Sequence, residues 1–396
     1  MSAAERARDI GIELTEEQLA LVELAKDFAR TEIRPVAAEV DEHGEAEVRW
    51  DLVEKAHALG LTTYMLPEEV GGGGIRDCFT ACLITEELSW GDGGLSGMIS
   101  SAGFFGATIF EIGTPEQQQR FLAPLCAEGR PPLTALATTE PDFGSDAAGM
   151  QTLATRTDGG YLLSGQKAWV SNGGVAEWYM VFAQTNPGSR SKGITAFVLH
   201  KDDPGLSTSS PMRKLGDRGI INSELFLDDV FVPDDRRIGE EGQGFYGLMG
   251  TFDESRITLA AGCVGIARAA TEYAITYARG RQQFGKPIIE HQAVGFRLAD
   301  MQTRLDAARL LTWRAARRLD SGERASKEAS MAKLYASEAA MFCTWGAVQT
   351  LGGWGYSREY PVEKWFRDAK LEEIWEGTSD IQRLIIARAL RSEGGA

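Results

Sequence analysis

The first third of the chain carries hydrophobic residues at a helical period. Leu21, Leu24 and Phe28 recur at intervals of three or four residues, and Thr15 and Gln18 precede them at the spacing of a capping box, which marks a helix N-terminus. Four glycines at residues 71–74 interrupt the pattern before a second helical stretch begins. We therefore predict a helical domain over residues 1–133.

The pattern changes to that of β-strands over residues 134–240. Asp158, Gly159 and Gly160 separate two runs of alternating polar and apolar residues, which is typical of a hairpin. A succession of short strands predicts a small β-sandwich or barrel. Further runs rich in β-branched and aromatic residues lie at residues 177–184, 193–200 and 224–232.

The helical period returns over residues 241–396. Three long segments with few glycines and no proline, residues 257–279, 292–319 and 326–351, predict a bundle of four or five helices. Helical, β and helical regions in this order make the chain an α+β protein with more than one domain.

Composition and charge narrow the function. The 396 residues have a net charge of −16, which argues against a nucleic-acid partner because binding to phosphate backbones relies on a basic face. No run approaches the roughly 20 apolar residues of a membrane span, and the first residues lack a secretion signal, so we expect a cytoplasmic protein. The four histidines and five cysteines show no metal-binding spacing, and we expect no metal.

One carboxylate near the end of the chain is a candidate catalyst. Glu376 lies between Trp375 and Gly377, where a flexible joint could direct the acid into an apolar cleft and desolvation would raise its pKa. Such a group abstracts protons well. The alternative is a solvated glutamate just before the last helix, with Thr378 or Ser379 as N-cap, and this stretch alone favours that alternative.

Six motifs in a fixed order change that balance. Together they resemble the acyl-CoA dehydrogenases, flavoproteins that desaturate acyl-CoA thioesters, and the resemblance covers nearly the whole chain. The motifs are TEPxxGSD at residues 139–146, GxKxWxSNG at 165–173, FDxxR at 252–256, RxxFG at 281–285, QxxGGxGY at 349–356 and EGTSxIQR at 376–383.

The resemblance implies FAD as cofactor and assigns residues to its flavin ring. Trp169 would stack beside the ring, and Ser171 would form a hydrogen bond near N5, the atom that receives the hydride. Thr378 and Asp380 would contact the flavin from the last helix, although the family often has an amide or glutamate where this chain has Asp380. The remaining flavin-lining residues would be Leu136, Thr138, Thr139, Gly144 and Ser145.

The resemblance also implies a second half of the cofactor site and an oligomer. This half would bind the adenosine diphosphate part of a flavin held mostly by a neighbouring subunit, as in a dimer of dimers. Electrons would pass to an electron-transferring flavoprotein. The residues involved would be Arg281, Gln283, Phe284, Gln292, Gln349, Gly352 and Gly353.

On the substrate side, Ser145, Asp253, Arg256 and the backbone of Gly377 match positions that touch CoA in the family. From the residues alone, Arg256 could instead form a salt bridge on the helix surface with Asp253 or Glu254. The acyl group would lie between residues 88–103, including Leu95, Ser96, Gly97, Met98 and Ile99, and residues 254–264. These small or apolar side chains predict a short, medium-length or branched acyl group.

The implied chemistry is α,β-dehydrogenation. Glu376 would remove the α-proton while the β-hydride passes to the flavin, and the backbone N–H of Glu376 together with a flavin ribityl hydroxyl would stabilise the thioester oxygen. Some relatives place the base immediately before the arginine of the FDxxR motif. That position is Ser255 here, and Glu254 is one residue early, which turns its side chain by about 100°.

Alternative functions on the same scaffold are an acyl-CoA oxidase that uses dioxygen, a thioester desulfinase, and a DNA-binding flavoprotein. The desulfinase lacks the glutamate base, so Glu376 argues against it. Oxidase relatives are usually longer, and the DNA-binding type carries an added basic region. From the length and the acidity of this chain we expect neither.

Overall fold

The described part of the N-terminal third folds into eight α-helices. The structure, a computed structural model, describes residues 3–43 and 47–393. Thr15 caps the second helix, and its reciprocal hydrogen bonds with Gln18 form the predicted capping box. The helices are α1 Ala3–Arg8, α2 Glu16–Phe28, α3 Arg34–His43, α4 Trp50–Ala58, α5 Cys78–Gly91, α6 Gly93–Ile99, α7 Ser101–Ile112 and α8 Pro115–Leu122, with a π-helical turn, Ala29–Ile33, joining α2 to α3.

The middle of the described chain forms one eight-stranded sheet. Its order is β6-β7-β3-β2-β4-β5-β8, and β1 pairs in parallel with β4. The predicted hairpin joins β2 and β3 around Asp158 and Gly159, with Thr157 opposite Gly160. The strands are β1 Thr134–Ala137, β2 Leu153–Thr157, β3 Gly160–Ser171, β4 Trp178–Gln184, β5 Ile194–His200, β6 Leu206–Thr208, β7 Asn222–Pro233 and β8 Arg237–Ile238.

The C-terminal third returns to helices. The pair β9 Gln282–Gln283 and β10 Lys286–Pro287 forms a small separate hairpin. The predicted order of helical, β and helical regions, and therefore the α+β fold class, is confirmed. The helices are α9 Gly244–Gly280, α10 Gln292–Asp320, α11 Ser326–Leu351, α12 Val362–Glu372 and α13 Ser379–Glu393.

Buried ion pairs tie the N-terminal helices to the bundle. Glu87 of α5 accepts two hydrogen bonds from Arg268 of α9, each 2.7 Å long, and the neighbouring Glu86 pairs with Arg309 of α10. Buried charges are tolerated only when they are paired in this way, so these contacts fix the register between the helices. The largest hydrophobic core lies in the same place and is built mainly from the alanine-rich faces of α9 and α11.

In the described residues, no single helix is both long and apolar enough to cross a membrane. One bent pair, α6 with α7, meets the requirement by length and composition only. Over the same residues, no cluster of three or more histidine, cysteine, aspartate or glutamate side chains is arranged to hold a metal ion.

Candidate active site

Glu376 lies in a tight turn between α12 and α13. It adopts a left-handed backbone with φ of 55°, and Gly377 follows with φ of 92°. Thr378 then caps α13, because its hydroxyl oxygen accepts a hydrogen bond from the Ile381 N–H at 3.3 Å. A non-glycine residue in this conformation is strained and persists only where its surroundings hold it.

Glu376 is half-buried, and its carboxylate is directed at α9. Its Oε2 accepts a hydrogen bond of 3.0 Å from the Ser255 hydroxyl on α9. Burial raises the pKa of Glu376, and the Ser255 hydrogen bond and the positive charges of Arg256 and Lys333 offset that rise only in part. The solvated position that the local sequence favours is therefore not the one Glu376 occupies.

The backbone carbonyls of the same turn are also bound. The Glu376 carbonyl accepts from Arg256 Nε and from Gln382 Nε2, both at 3.3 Å. The Gly377 carbonyl accepts from Gln382 Nε2 at 2.8 Å and from Lys333 Nζ at 2.9 Å. Three side chains from α9, α11 and α13 thus converge on two consecutive peptide groups.

An apolar cavity adjoins this turn. Its walls include the facing sides of α7 and α9, with Trp375 and Ser255 at the Glu376 end. The cavity volume, measured as the space open to the centres of water molecules, is about 80 Å³. Residues that sequence reasoning did not assign to this wall include Tyr64, Met65, Thr85, Phe104, Thr251 and Glu372.

The 88–103 stretch contributes to the cavity, but not through the apolar residues that we expected. Ser96 and Gly97 face the cavity. Leu95, Met98 and Ile99 instead pack into the N-terminal core and are at most 2% exposed. The reason is helical geometry, since α6 directs its small residues to one side and its large apolar residues to the other.

Glu254 also lines the cavity, and it lies at the opening to a second, neighbouring cavity lined by Arg76 and Glu111. Burial raises the pKa of Glu254, and the charge of Arg76 partly offsets this. The one-residue offset on α9 therefore does not remove Glu254 from the cavity. However, Ser255, and not Glu254, is the α9 residue whose side chain forms a hydrogen bond with the Glu376 carboxylate.

A second buried acid supports the cavity wall. Glu372 accepts hydrogen bonds from Trp375 Nε1 at 2.9 Å and from Cys263 Sγ at 3.4 Å, and burial raises its pKa to about 7. The hydrogen bond orients the Trp375 ring, which is one wall of the cavity.

Arg256 forms the salt bridge that was the alternative from the sequence, while its contact with CoA stays a prediction. It forms an ion pair with Asp253, with N and O 3.5 Å apart, as the salt-bridge alternative requires. However, Arg256 is only 6% exposed and also reaches the Glu376 carbonyl, so the pair does not lie on the surface. Asp253 in turn accepts a hydrogen bond from Ser326 of α11.

In the β region, the TEPxxGSD turn is anchored by a buried glutamate. Glu140 accepts hydrogen bonds from Lys167 Nζ at 2.9 Å and from the backbone N–H groups of Gln151 and Thr152 at 2.6 and 2.9 Å. Burial of Lys167 lowers its pKa to about 8. The Ala168 N–H donates to the Thr139 carbonyl at 2.8 Å, so the motif residues of β3 and the turn are held together.

Trp169 and Ser171 lie at a bulge in β3. The register with β7 shifts between Lys167 and Val170, and Trp169 adopts φ of 58°, which turns its side chain out of the sheet. The ring is 59% exposed. Asn222 donates to the Trp169 carbonyl at 3.3 Å and to the Ser171 hydroxyl at 3.2 Å, which fixes this segment. Leu136 is half-buried near it, and Gly144 and Ser145 are exposed.

The other group of expected cofactor residues lies on the surface of the bundle. Phe284 forms the tip of the β9–β10 hairpin and is 93% exposed. Asp380 is exposed as well, with 95% of its side chain accessible, 3.7 Å from Arg383. Arg281, Gln283, Gln292, Gln349, Gly352 and Gly353 are all exposed. None of these surface residues contributes to the Glu376 cavity as lined above.

Family comparisons agree with this arrangement. Models of the acyl-CoA dehydrogenase N-terminal, middle and C-terminal domains match residues 15–129, 135–230 and 242–391. The chain belongs to the acyl-CoA dehydrogenase family. An acyl-CoA dehydrogenase of Bacillus subtilis (strain 168) is 41% identical over 378 residues, which is 95% of this chain and 98% of the relative.

Solved structures of similar chains point the same way. Butyryl-CoA dehydrogenase from Megasphaera elsdenii superposes with a TM-score of 0.91 at 39% identity, covering 96% of this chain and 99% of that one. A chain from work on the electron transferring flavoprotein of Acidaminococcus fermentans and flavin-based electron bifurcation also gives 0.91, at 38% identity, covering 96% and 98%.

Acyl-CoA dehydrogenases are FAD-dependent oxidoreductases, and FAD is the cofactor of this one. The residues present fit that group. Thr138 is buried, yet its hydroxyl has no hydrogen-bond partner among residues 3–43 and 47–393, which leaves it available to a polar ring edge. The exposed face of Trp169 offers an aromatic surface beside it.

Lys333 and Gln382 are functional candidates that sequence reasoning missed. A signal for Lys333 existed, because it shares a helical face with Ala329, Ala336 and Ala340, and a lysine on a buried alanine face needs a partner. The identity of that partner, a carbonyl 44 residues away, was not readable from the pattern.

Proposed function

We propose that the chain catalyses FAD-dependent dehydrogenation of an acyl-CoA thioester to the trans-2-enoyl-CoA, with Glu376 as the base. One observation carries this proposal. The Glu376 carboxylate, its pKa raised by burial, accepts a hydrogen bond from Ser255, and Ser255 and the adjacent Trp375 both line the apolar cavity. This is the setting of a proton abstractor and not of a surface acid.

The chain's own residues account for the proton transfer. Glu376 takes the α-proton of the thioester, and the electron pair of that C–H bond forms the new double bond as the β-hydrogen leaves with its pair. FAD, when bound, accepts that hydride at N5. The backbone N–H of Glu376 donates to the thioester oxygen as negative charge develops there. Trp375 excludes water from the cavity.

On the CoA side, we assign Ser145, Asp253, Arg256 and the backbone of Gly377. CoA is a polyanion and the chain is acidic overall, so a local cation is needed. Arg256 supplies this charge where it also contacts the Glu376 carbonyl, which links substrate binding to the position of the base. Asp253 keeps the guanidinium oriented.

Around the flavin ring, we assign the residues at the bulge of β3 and at the end of β1. Trp169 would stack on the ring and Ser171 would donate to it, and the Asn222 contacts hold both residues in place. Thr378 approaches from the start of α13, and Asp380 beside it retains an exposed carboxylate for the same contact. Leu136, Thr138, Thr139, Gly144 and Ser145 complete this half.

A second copy of the chain supplies the other half. Phe284, Gln349 and Gly353 belong to an exposed surface distant in sequence from the flavin-facing residues, and Phe284 is held in a tight turn with no protein contact over most of its ring. An aromatic group so exposed is typical of an interface. We therefore infer that the enzyme is a homo-oligomer, a dimer of dimers, with Arg281, Gln283, Gln292 and Gly352 also facing the partner's FAD.

We infer a short acyl group and an electron-transferring flavoprotein as acceptor. The cavity is small and is closed in part by Trp375. The butyryl-CoA dehydrogenase structure supports a short chain, and the similarity to the chain studied with an electron transferring flavoprotein supports that acceptor.

The test is anaerobic reduction of the bound flavin. The purified holoenzyme is mixed with butyryl-, isobutyryl-, hexanoyl- and octanoyl-CoA, and bleaching of the flavin absorbance is followed. We expect fast bleaching with butyryl-CoA or isobutyryl-CoA. No bleaching with any of the four would contradict the proposed reaction, and sustained hydrogen peroxide production in air would favour an oxidase.

A further inference from the structure

Lys333 is a lysine of α11 whose side chain is entirely buried. Burial lowers its pKa, which reflects the free-energy cost of an ammonium group in the protein interior. Its hydrogen bond of 2.9 Å to the Gly377 carbonyl offsets part of that cost. A cation that is buried at such a cost, next to the turn at Glu376, indicates a functional reason for its position.

The hydrogen bond from Lys333 is made to the glycine of the turn, which is its least restrained residue. Gly377 has no side chain to restrain it, and both it and Glu376 are in the left-handed region. Because a peptide group is planar, a bound carbonyl fixes the whole plane. Lys333 and Gln382 fix the plane that follows Gly377, and Arg256 and Gln382 fix the plane that precedes it.

A purely structural ion pair does not explain Lys333. Glu372 is the acid on α12 that acts on it electrostatically, yet Glu372 receives its hydrogen bonds from Trp375 and Cys263. Within the described part of the chain, Lys333 and Glu372 form no ion pair. Lys364 of α12, also a buried lysine, behaves differently, because it pairs directly with Asp92 and Asp368.

We propose that Lys333 is a positioning residue, which holds the Gly377 carbonyl so that the Glu376 carboxylate stays directed at the acyl cavity. The inference rests on the proposed function, since it concerns the same proton transfer. It assigns to α11 a part in catalysis without contact with substrate or flavin.

The charge of Lys333 adds a second effect. The groups that act on Glu376 are Ser255 and Arg256 on α9 and Lys333 on α11, and all three lower its pKa against the rise caused by burial. Removing the Lys333 charge therefore raises the pKa of Glu376 further. Because the base is active only when deprotonated, the acidic limb of the pH profile moves to higher pH.

The experiment compares Lys333→Met with Lys364→Met in the FAD-loaded enzyme. For Lys333→Met we expect a fall in kcat of about 10- to 100-fold, a much smaller change in KM, and a shift of the acidic limb of kcat to higher pH. Lys364→Met also removes a buried ammonium, and it should lower Tm while leaving that limb in place.

An unshifted limb and a normal kcat in Lys333→Met would overturn the inference, as would an equal shift in both variants. If Lys333→Met does not fold, Lys333→Gln replaces it, because it keeps an N–H donor without the charge, and an unshifted limb would again refute the idea. Failure of the proposed function is recognised separately, because Glu376→Gln would then retain flavin reduction.

Discussion

The turn at Glu376 and the hairpin tip at Phe284 have nearly the same backbone and opposite surroundings. Each consists of a non-glycine residue followed by glycine, both left-handed, with φ of 55° and 92° at Glu376 and Gly377 and of 53° and 79° at Phe284 and Gly285. The first is enclosed by hydrogen-bond donors from three helices. The second is exposed to solvent.

The difference shows what each turn requires. A left-handed non-glycine residue costs about 1–2 kcal/mol. At Phe284 the short β9–β10 hairpin offsets this locally, since two left-handed residues are what a two-residue type I′ turn needs. At Glu376 the compensation comes from Arg256, Lys333 and Gln382. The Glu376 turn is held by contacts within the chain, whereas the Phe284 turn leaves its aromatic ring exposed to solvent.

The largest expected effect is the loss of the base. Glu376→Gln should retain FAD but reduce flavin bleaching by acyl-CoA by roughly 10³-fold or more, because the amide cannot take a proton. In the unmodified enzyme, the raised pKa of Glu376 means that activity falls as pH decreases through that pKa, which lies above the usual 4.5. Near-normal bleaching by the variant would place the base elsewhere.

The two turns can be compared directly through their glycines. Gly377→Ala places a Cβ 2.8 Å from Gln382 Nε2, whereas Gly285→Ala meets nothing within 4 Å. Both lose about 1–2 kcal/mol of stability from the left-handed backbone. Only Gly377→Ala should also lower kcat, by about tenfold or more. Thermal unfolding and single-turnover flavin reduction measure the two effects, and equal kcat losses would remove the distinction.

A smaller effect is expected from the exposed tip. Phe284→Ala should weaken FAD binding and subunit association by roughly tenfold, with little change in monomer stability because the ring is 93% exposed. Phe231→Ala, at an exposed phenylalanine of β7, is the matched control. Flavin retention on dilution and sedimentation velocity are the measurements. The tip would have no role outside its own chain if both variants behaved like the unmodified enzyme.

The smallest effect tests the rival acid. Glu254→Gln should change kcat by less than about threefold, because α9 presents Ser255, not Glu254, to the Glu376 carboxylate. Steady-state rates with butyryl-CoA measure this. A loss comparable with that of Glu376→Gln would show that Glu254 takes the proton.

Sequence reasoning succeeded where local patterns decide structure. The capping box at Thr15, the hairpin at Asp158 and Gly159, and the bounds of α11 follow from short-range preferences. The fold class and the family followed from motifs in order. The domain boundaries and the roles of the site residues remain predictions.

The features that the sequence did not predict depend on the direction in which side chains face and on contacts between residues far apart in sequence. The stretch containing Leu95, Met98 and Ile99 does line a cavity through its small residues, but its composition could not show that these three side chains face the core. The contacts from Ser255 and Lys333 to the Glu376 turn join residues 121 and 44 positions apart, and only the packing of α9, α11 and α12 brings them together.

Helix α9 also limits how chains of this kind can change in length. It runs unbroken for 37 residues, about 55 Å, and carries Arg256 about a third of the way along, while its C-terminal end leads into Arg281. One inserted or deleted residue between them would rotate one end against the other by about 100° and shift it by about 1.5 Å. Insertions and deletions should therefore be found in the loop between α10 and α11, not within α9.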